Sequence, residues 1–413
     1  MSIHHSSFIA RHLWYDAALM PSPLEGIRVI DFGRFIAGPY CAMLLADFGA
    51  DVIRVERREG GEDRRLGPVT PSGEGGLFLN LNRNKRGITL DLAHPEARRV
   101  IDRLVSGADI IVINMPFAVM KKLGLNYDSL RKVKDDIILV MASAFGPDGP
   151  YTDRVGFDGI AQAMSGAMSL TGFPGPPLRS IVSWADYGTA LHAAFGAMTA
   201  LYYRQSTGRG QLIDVSLLAT SVTFMTPLLA ELKTRGIRRE QLGNTAYYAA
   251  PSDAYKTQSG WIIVPTVGPQ MFRRWARLIG REDLIDDPRC LDDISRGNNA
   301  HIINEAMSKW CAERTRDQAI AELEAARIPC GPCYNLEEVL TDPQVQSRNL
   351  LEQIEYPGGK EPVPVASPPV RLSETPAPAV RRPPMLGEHT DEVLGEIGFT
   401  SEEISSLRQA RAI

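Results

Sequence analysis

The sequence predicts an α/β protein in which a parallel-sheet domain is joined to a smaller α+β domain. Three observations carry this prediction. Short apolar strands alternate with helical stretches through the first half of the chain. The first strand–helix–strand run is about 30 residues long, the span of a β-α-β crossover. Beyond residue 225 the alternation gives way to a hairpin signal and amphipathic helices.

The elements follow in order. Ile27–Phe32 is a buried strand; a turn with Gly33, Gly38 and Pro39 leads into a helix over Tyr40–Phe48, ended by Gly49. Asp51–Glu56 is the second strand. His94–Ser106 is a helix with Pro95 at its first position, and Asp109–Asn114 is a strand. Tyr127–Val133 is helical, Ile137–Ala144 a strand and Asp158–Leu170 a helix of small residues. Ile181–Trp184 reads as a short strand, Asp186–Arg204 as a long Ala-rich helix and Gln211–Leu218 as a strand. Leu217–Leu232 is apolar and helical. Ala254–Thr257 and Trp261–Pro265 flank Ser259-Gly260 as a β-hairpin. Helices follow at Gln270–Ile279 and Ala300–Ala326. Residues 357–384 are Pro-rich and extended, and lead to helical segments at Asp391–Ile397 and Ser401–Gln409. The resulting division is an N-terminal extension over 1–23, a large domain over 24–225, a small domain over 226–330, and 331–413 as a linker and a path back to the large domain.

Composition narrows the function classes. With 413 residues the chain has room for two or three domains of about 150 residues. The 45 Lys and Arg against 49 Asp and Glu give a net charge of −4, which argues against nucleic acid as a partner. No apolar run reaches the ~18 residues of a membrane helix. Residues 1–23 carry no basic stretch followed by a long apolar one, so a signal peptide is not expected. A cytoplasmic enzyme is the expectation.

Five cysteines are few and odd in number. Cys330-Gly331-Pro332-Cys333 has redox spacing, with a helix start at Asn335 behind it; the alternative is a structural loop. No Cys/His cluster of zinc spacing exists, and no metal site is expected.

The first β-α turn, Gly33-Arg34-Phe35-Ile36-Ala37-Gly38-Pro39, lacks the glycine spacing of a dinucleotide loop and is filled with bulky residues. Its backbone donors, at a helix N-terminus, still suit an anionic ligand. Basic residues gather at Arg54, Arg57, Arg58, Arg64 and Arg65, at Arg83, Lys85 and Arg86, and at Lys121 and Lys122. Near strand C-termini they would hold a polyphosphate; otherwise they form a solvated surface. Asp186 follows a strand and opens a long helix. Its carboxylate either caps backbone N–H groups or, kept ionised by the helix dipole, serves as a nucleophile. His192, six residues on, points elsewhere, so no triad with Ser183 is expected. His94 reads as a helix start, and Thr390, after His389, as an N-cap.

Ordered blocks then identify a resemblance. They are Leu24-Glu25-Gly26-Ile27-Arg28-Val29-Ile30-Asp31, Ala37-Gly38-Pro39, Leu45 to Ile53, Val55-Glu56-Arg57, Leu81-Asn82-Arg83-Asn84-Lys85-Arg86, Thr207 to Gln211, Asp287-Pro288-Arg289 and Leu386-Gly387-Glu388-His389-Thr390. Together, residues 24 to about 410 resemble the family III CoA-transferases (CaiB/BaiF type). The resemblance implies a discontinuous Rossmann-like large domain built from both chain ends, a small middle domain and an interlocked homodimer. It implies acyl-CoA and a carboxylic acid as substrates, coenzyme A passing through as substrate, and no permanently bound cofactor. It makes Asp186, reached through Thr171-Gly172-Phe173, the catalytic nucleophile, working through an aspartyl anhydride and an aspartyl-CoA thioester. For CoA it implies Ile36, Ala37, Arg57, Leu90, Asn114, Met115, Lys122, Val155, Gly156, Phe157 and Asp158.

Three departures refine this. The racemase branch carries Gly-His-Asp where this chain has Gly156-Phe157-Asp158, and Phe157 cannot move a proton, so transferase chemistry is favoured over α-methylacyl-CoA racemisation. Asn114-Met115-Pro116-Phe117-Ala118 lacks the family's basic residue, which leaves a non-catalytic CoA-binding protein as a further alternative. No Gly-rich lid lies between Gly243 and Gly260, against the formyl/oxalate pair. The Arg34–Pro39 and Asn82–Lys85 blocks look closer to members acting on succinyl-CoA and other dicarboxylyl donors.

Overall fold

The structure is a computed structural model and describes residues 22–413, so the extension expected over 1–23 lies outside the described residues but for its last two positions. Along the chain run β1 (Arg28–Asp31), α1 (Ala37–Ala46), β2 (Asp51–Glu56), α2 (Gly76–Leu81), β3 (Arg86–Thr89), α3 (Ala97–Ser106) and β4 (Ile110–Ile113). Then come α4 (Phe117–Leu123), α5 (Tyr127–Leu130), β5 (Ile138–Ser143), α6 (Asp158–Met164), α7 (Trp184–Thr207), β6 (Leu212–Ser216) and α8 (Leu217–Arg235). After these are β7 (Ser252–Thr257), β8 (Gly260–Pro265), α9 (Pro269–Leu278), α10 (Asp293–Asn298), α11 (Ala300–Ala312), α12 (Arg316–Ala325) and β9 (Gly331–Pro332). The chain ends with α13 (Leu336–Thr341), α14 (Pro343–Ser347), β10 (Leu351–Ile354), β11 (Val363–Ala366), α15 (Thr390–Glu396) and α16 (Ser401–Gln409).

Two compact units emerge. Of the described residues, the first comprises 22–165, Ile181–Thr226 and Ser347–Ile413; the second comprises Gly166–Ser180 and Pro227–Gln346. The stretch 331–346, read from sequence as part of the return path, belongs to the second unit because β9 adds antiparallel to β8 (Ile263↔Gly331).

The first unit is a six-stranded parallel sheet in the order β3-β2-β1-β4-β5-β6. Its central strands β4 and β5 are almost wholly apolar, with β4 reading Ile-Ile-Val-Ile and fully buried, as strands covered on both faces must be. Val100, Ile101 and Leu104 of α3 pack on one core together with Val393, Leu394 and Leu407 from the C-terminal helices. Cys41 and Leu45 of α1 and Ala190, Ala193 and Ala197 of α7 form another. The chain end is tied to the sheet edge: His389 N–H donates to Gly87 O, Thr89 N–H to the Thr390 hydroxyl, and Asp91 N–H to Ala412 O. The strand order reverses between β1 and β4, and the loops leaving those two strands flank the crevice where open sheets bind ligands.

The second unit joins the β7–β8 hairpin and β9 to a helical cluster around Trp275, Phe272, Met307 and Tyr255. The Cys330/Cys333 pair sits at this edge strand. Both thiols are free, and burial pushes Cys330 up to about 11, the wrong direction for a redox thiol.

Several sequence expectations change. Ile181–Trp184 forms no strand: Ile181 and Val182 are exposed, and Trp184 already begins α7. The helix expected to Leu170 stops at Met164, since Gly166 adopts φ 88°. The helix expected from His94 starts at Ala97, because the His94 ring accepts from Glu96 N–H in a preceding turn. The helix at Tyr127 ends at Leu130, and that at Ala300 divides where Thr315 and Gln318 build a capping box. Thr390 is not the cap of α15; its hydroxyl instead donates to Gly387 O and receives Thr89 N–H.

Candidate functional site

The site begins at the β1–α1 loop. Gly33 has no room for a side chain: a Cβ would lie 2.6 Å from Asp31 Oδ1 and 2.8 Å from Pro39 Cδ. Asp31 accepts Gly33 N–H at 2.7 Å and pairs with Lys85 at 2.8 Å. The Lys85 ammonium also donates to Pro39 O and to the Asn82 carboxamide, so all three of its protons are used and the start of α1 is fixed. Asn114, at the end of β4, stitches the two switch-point loops together: it accepts Arg34 N–H at 2.8 Å and donates to Arg34 O at 2.7 Å. Phe35 stands in the left-handed region at φ 62°, its N–H held by Asp63, and its ring meets Phe157 edge-on at 5.5 Å. Backbone strain of this kind gathers at functional loops.

A cavity of about 310 Å³ opens between these loops and the segment after β5. Its wall includes Arg34, Phe35, Ala37, Asn114, Met115, Ser143, Arg154, Phe157 and Asp186. Gly156 lets the segment close, since a Cβ there would lie 2.6 Å from that of Ala144. A second cavity of about 470 Å³ shares Arg34, Met115 and Pro116 with the first, and is bordered by Arg57, Leu90 and Asp91.

Asp186 lies in the first turn of α7, and the role of cap falls elsewhere. The buried Asp158 carboxylate, from α6, accepts Ala185 N–H at 2.9 Å and Asp186 N–H at 3.3 Å with one oxygen, and Gln162 at 2.6 Å with the other. The N–H groups of that first turn are therefore spent on Asp158, and the Asp186 carboxylate is left to face the cavity. The expectation that the helix dipole keeps Asp186 readily ionised is overturned. Burial, and then the charge of Asp158, push its pKa from 3.8 up to about 7.

The structure sorts the remaining sequence candidates. Ala37, Asn114, Met115, Val155, Gly156 and Phe157 line the first cavity with Asp186, and Arg57 and Leu90 the second. Three do not line either. Ile36 is buried against Met43 and Leu81, the Asp158 side chain is committed to α7, and Lys122 stands exposed on α4.

Half of the basic residues in these clusters are also consumed. Arg54 pairs with Asp63 at 2.8 Å, Arg64 with Glu56 at 2.5 Å and Arg83 with Asp47 at 2.6 Å, all buried. Against the effect of burial, Arg54 and Arg64 pull Glu56 down to about 2. Arg86 binds Asp51, Glu392 and Glu396. A polyphosphate role for Arg54, Arg64, Arg83, Lys85 and Arg86 is thus replaced by a structural one. The exposed Arg57, 3.2 Å from Glu62, remains at the second cavity. Sequence reasoning missed Arg154 and Ser143 in the first wall, and named Phe117 only within the Asn114–Ala118 pattern; neither Arg154 nor Ser143 belongs to a motif, and only the fold brings them to the wall that Asp186 shares.

Comparison with known proteins gives a consistent result. The model of CoA-transferase family III matches residues 24–390. Succinyl-CoA--D-citramalate CoA-transferase of Chloroflexus aurantiacus is 34% identical over 95% of this chain and 98% of its own. Succinate--glutarate CoA-transferase of Agrobacterium fabrum is 34% identical over 91% of this chain and 96% of its own. Among solved structures, a CaiB/BaiF family protein from Brucella suis superimposes with a TM-score of 0.81 at 31% identity, covering 92% of this chain and all of that one.

Proposed function

The chain belongs to CoA-transferase family III, and from that premise we propose that it moves CoA from an acyl-CoA donor, of the succinyl-CoA type, to a free carboxylic acid. The observation that carries the reading is Asp186, a carboxylate free of capping duty on the wall of a cavity at the sheet's switch point.

In the proposed sequence, an Asp186 carboxylate oxygen attacks the donor thioester carbonyl and CoA leaves as thiolate, giving a mixed anhydride. The thiolate attacks the aspartyl carbonyl and releases the donor acid, leaving an aspartyl-CoA thioester. The acceptor carboxylate attacks that thioester, again expelling thiolate and forming a second anhydride. The thiolate then takes the acceptor acyl group, and the Asp186 carboxylate is restored. Two properties of the wall support this. The same burial that raises Asp186 strips water from its carboxylate and makes the anion more reactive. The Phe35–Phe157 contact is apolar cover against hydrolysis of the intermediates. The thioester end belongs in the first cavity and the nucleotide in the second, with Arg57 at its edge.

A homodimer, interlocked through both units, belongs to the same proposal. Leu191, Phe195, Met198 and Tyr202 form an exposed stripe on α7, with Phe195 at 74% and Tyr202 at 77% exposure. A row of that kind needs a cover, and a second copy of the chain supplies one. A cytoplasmic location is proposed with it; no helix of the described residues is long and apolar enough to cross a membrane.

The test is exchange of CoA between succinyl-CoA and a panel of carboxylic acids, with intact-mass detection of the enzyme-bound CoA thioester. Asp186→Ala should abolish both. Wild-type exchange rates in Asp186→Ala would end the reading. Deuterium entry at Cα without CoA exchange would point instead to racemisation, which Phe157 at the place of a proton-moving histidine argues against.

A further inference from the structure

We infer that Arg154 is the binding group for the second carboxylate of a dicarboxylic substrate, held in the same cavity as Asp186. This deepens the transferase reading and rests on it.

Among the described residues, four charged side chains line that cavity: Arg34, Asp153, Arg154 and Asp186. Of the two cations, Arg34 is already engaged. Its guanidinium pairs with Glu62, its backbone is clamped on both sides by Asn114, and it also borders the second cavity. Arg154 borders only the first cavity, and no ion pair to its guanidinium is formed among the described residues. It stacks instead on the Tyr151 ring, with Cζ 4.0 Å from the centroid. Stacking occupies the face of a guanidinium and leaves its N–H donors free in the plane of the group. That is the geometry in which arginine grips a carboxylate with two parallel hydrogen bonds.

The rest of the wall explains why such a group is needed. Met115, Phe117, Met141, Phe145 and Leu217 are apolar. A substrate reacting through one carboxyl group at Asp186 would have to leave a second carboxylate unpaired against these side chains, and an unpaired anion in an apolar site is strongly disfavoured. Asp186 cannot serve, being anionic in its working form, and Asp153 repels. Arg154 is the one uncommitted cation of this wall among the described residues. It therefore selects substrates in which a short chain separates two carboxyl groups, and it acts by binding, without taking part in bond making.

The experiment compares two donors of equal chain length with the purified full chain. Succinyl-CoA carries a distal carboxylate, and butyryl-CoA has a methyl group in its place; the CoA portion is common to both. Arg154→Gln should lower kcat/KM for succinyl-CoA by about 30- to 100-fold while changing butyryl-CoA less than about threefold, the scale of losing hydrogen bonds to a charged group. Arg154→Lys, which keeps the charge and loses the paired hydrogen bonds, should fall between. An equal loss with both donors would assign Arg154 to CoA itself and overturn the inference, as would a wild-type enzyme that does not prefer succinyl-CoA to butyryl-CoA. The transferase reading fails in a different way: wild-type protein then transfers CoA from neither donor to any acid.

Discussion

Replacing Asp158 with asparagine should move the pH dependence of the reaction toward acid while leaving Asp186 in place. The asparagine retains a side-chain oxygen for the N–H groups of Ala185 and Asp186, which Asp158 holds at 2.9 and 3.3 Å. Gln162 can turn its amide to meet the new donor, at the expense of its 3.5 Å contact with Val182 O. What disappears is one negative charge beside the nucleophile. Asp186 is pushed from 3.8 to about 7 by two causes, of which burial is the larger and the Asp158 charge the smaller. Asp158 therefore accounts for less than half of a rise of about 3, or at most about 1.5 pH units, equivalent to about 2 kcal/mol. The other charged groups of the cavity wall, Arg34, Asp153 and Arg154, are the same in both proteins. The nucleophile must be ionised, so kcat/KM should climb with pH through a midpoint near 7 in the wild type. In Asp158→Asn the midpoint should lie between about 5.5 and 7. The assay is steady-state CoA transfer from pH 5 to 9. An unmoved midpoint, or one displaced to higher pH, would refute the assignment of Asp158 as the charge that raises Asp186. Asp158→Ala, which also removes the cap, should in addition lower the plateau rate.

Two further predictions concern stability. Because Asp186 binds its proton more tightly folded than unfolded, its contribution is favourable below about pH 4 and is lost as pH rises through about 7. The ceiling on that loss is about 4 kcal/mol at 1.36 kcal/mol per pH unit, and partial exposure reduces it to about 2–3. Asp186→Asn should thus be more resistant to urea than wild type at pH 8, with the advantage vanishing near pH 4; an advantage independent of pH would contradict the burial argument. Lys85→Ala leaves the fully buried Asp31 without its cation and should cost about 3–5 kcal/mol in urea unfolding. A cost under about 1 kcal/mol would mean that the β1–α1 loop is not anchored through this pair.

Many of the main elements were legible because they are written locally; β3, β10 and β11 were not read, and the strand expected at Ile181–Trp184 does not form. The apolar run of β4, the Gly33 turn and the Gly38-Pro39 of the first turn of α1, and the amphipathic pattern of α3 each declare themselves within about a dozen residues. Asp186 was legible at the head of a long helix, although the strand expected before it does not form, and its electrostatic state was read with the wrong sign. A carboxylate in the first turn of an isolated helix is stabilised by the dipole. Here Asp158, 28 residues earlier in the chain, takes the N–H groups that would do so. The basic clusters misled for the same reason. Arg54, Arg64, Arg83 and Lys85 look like free cations when read along the chain, and their partners Asp63, Glu56, Asp47 and Asp31 carry no mark of the pairing.

The sequence by itself therefore determined the alternation of strands and helices in the first half of the chain, the family likeness, and the aspartate on which the chemistry is proposed to turn. The tertiary structure decided which charges remain available. It buried Arg54, Arg64, Arg83 and Lys85 in ion pairs, gave the helix cap to Asp158, and left Arg154 stacked and uncommitted in the cavity wall it shares with Asp186. The division has one physical cause. Periodicity and turn chemistry act between neighbours in the chain, whereas desolvation and Coulomb pairing depend on distances in space, and partners from 28 to 310 positions apart set those distances here.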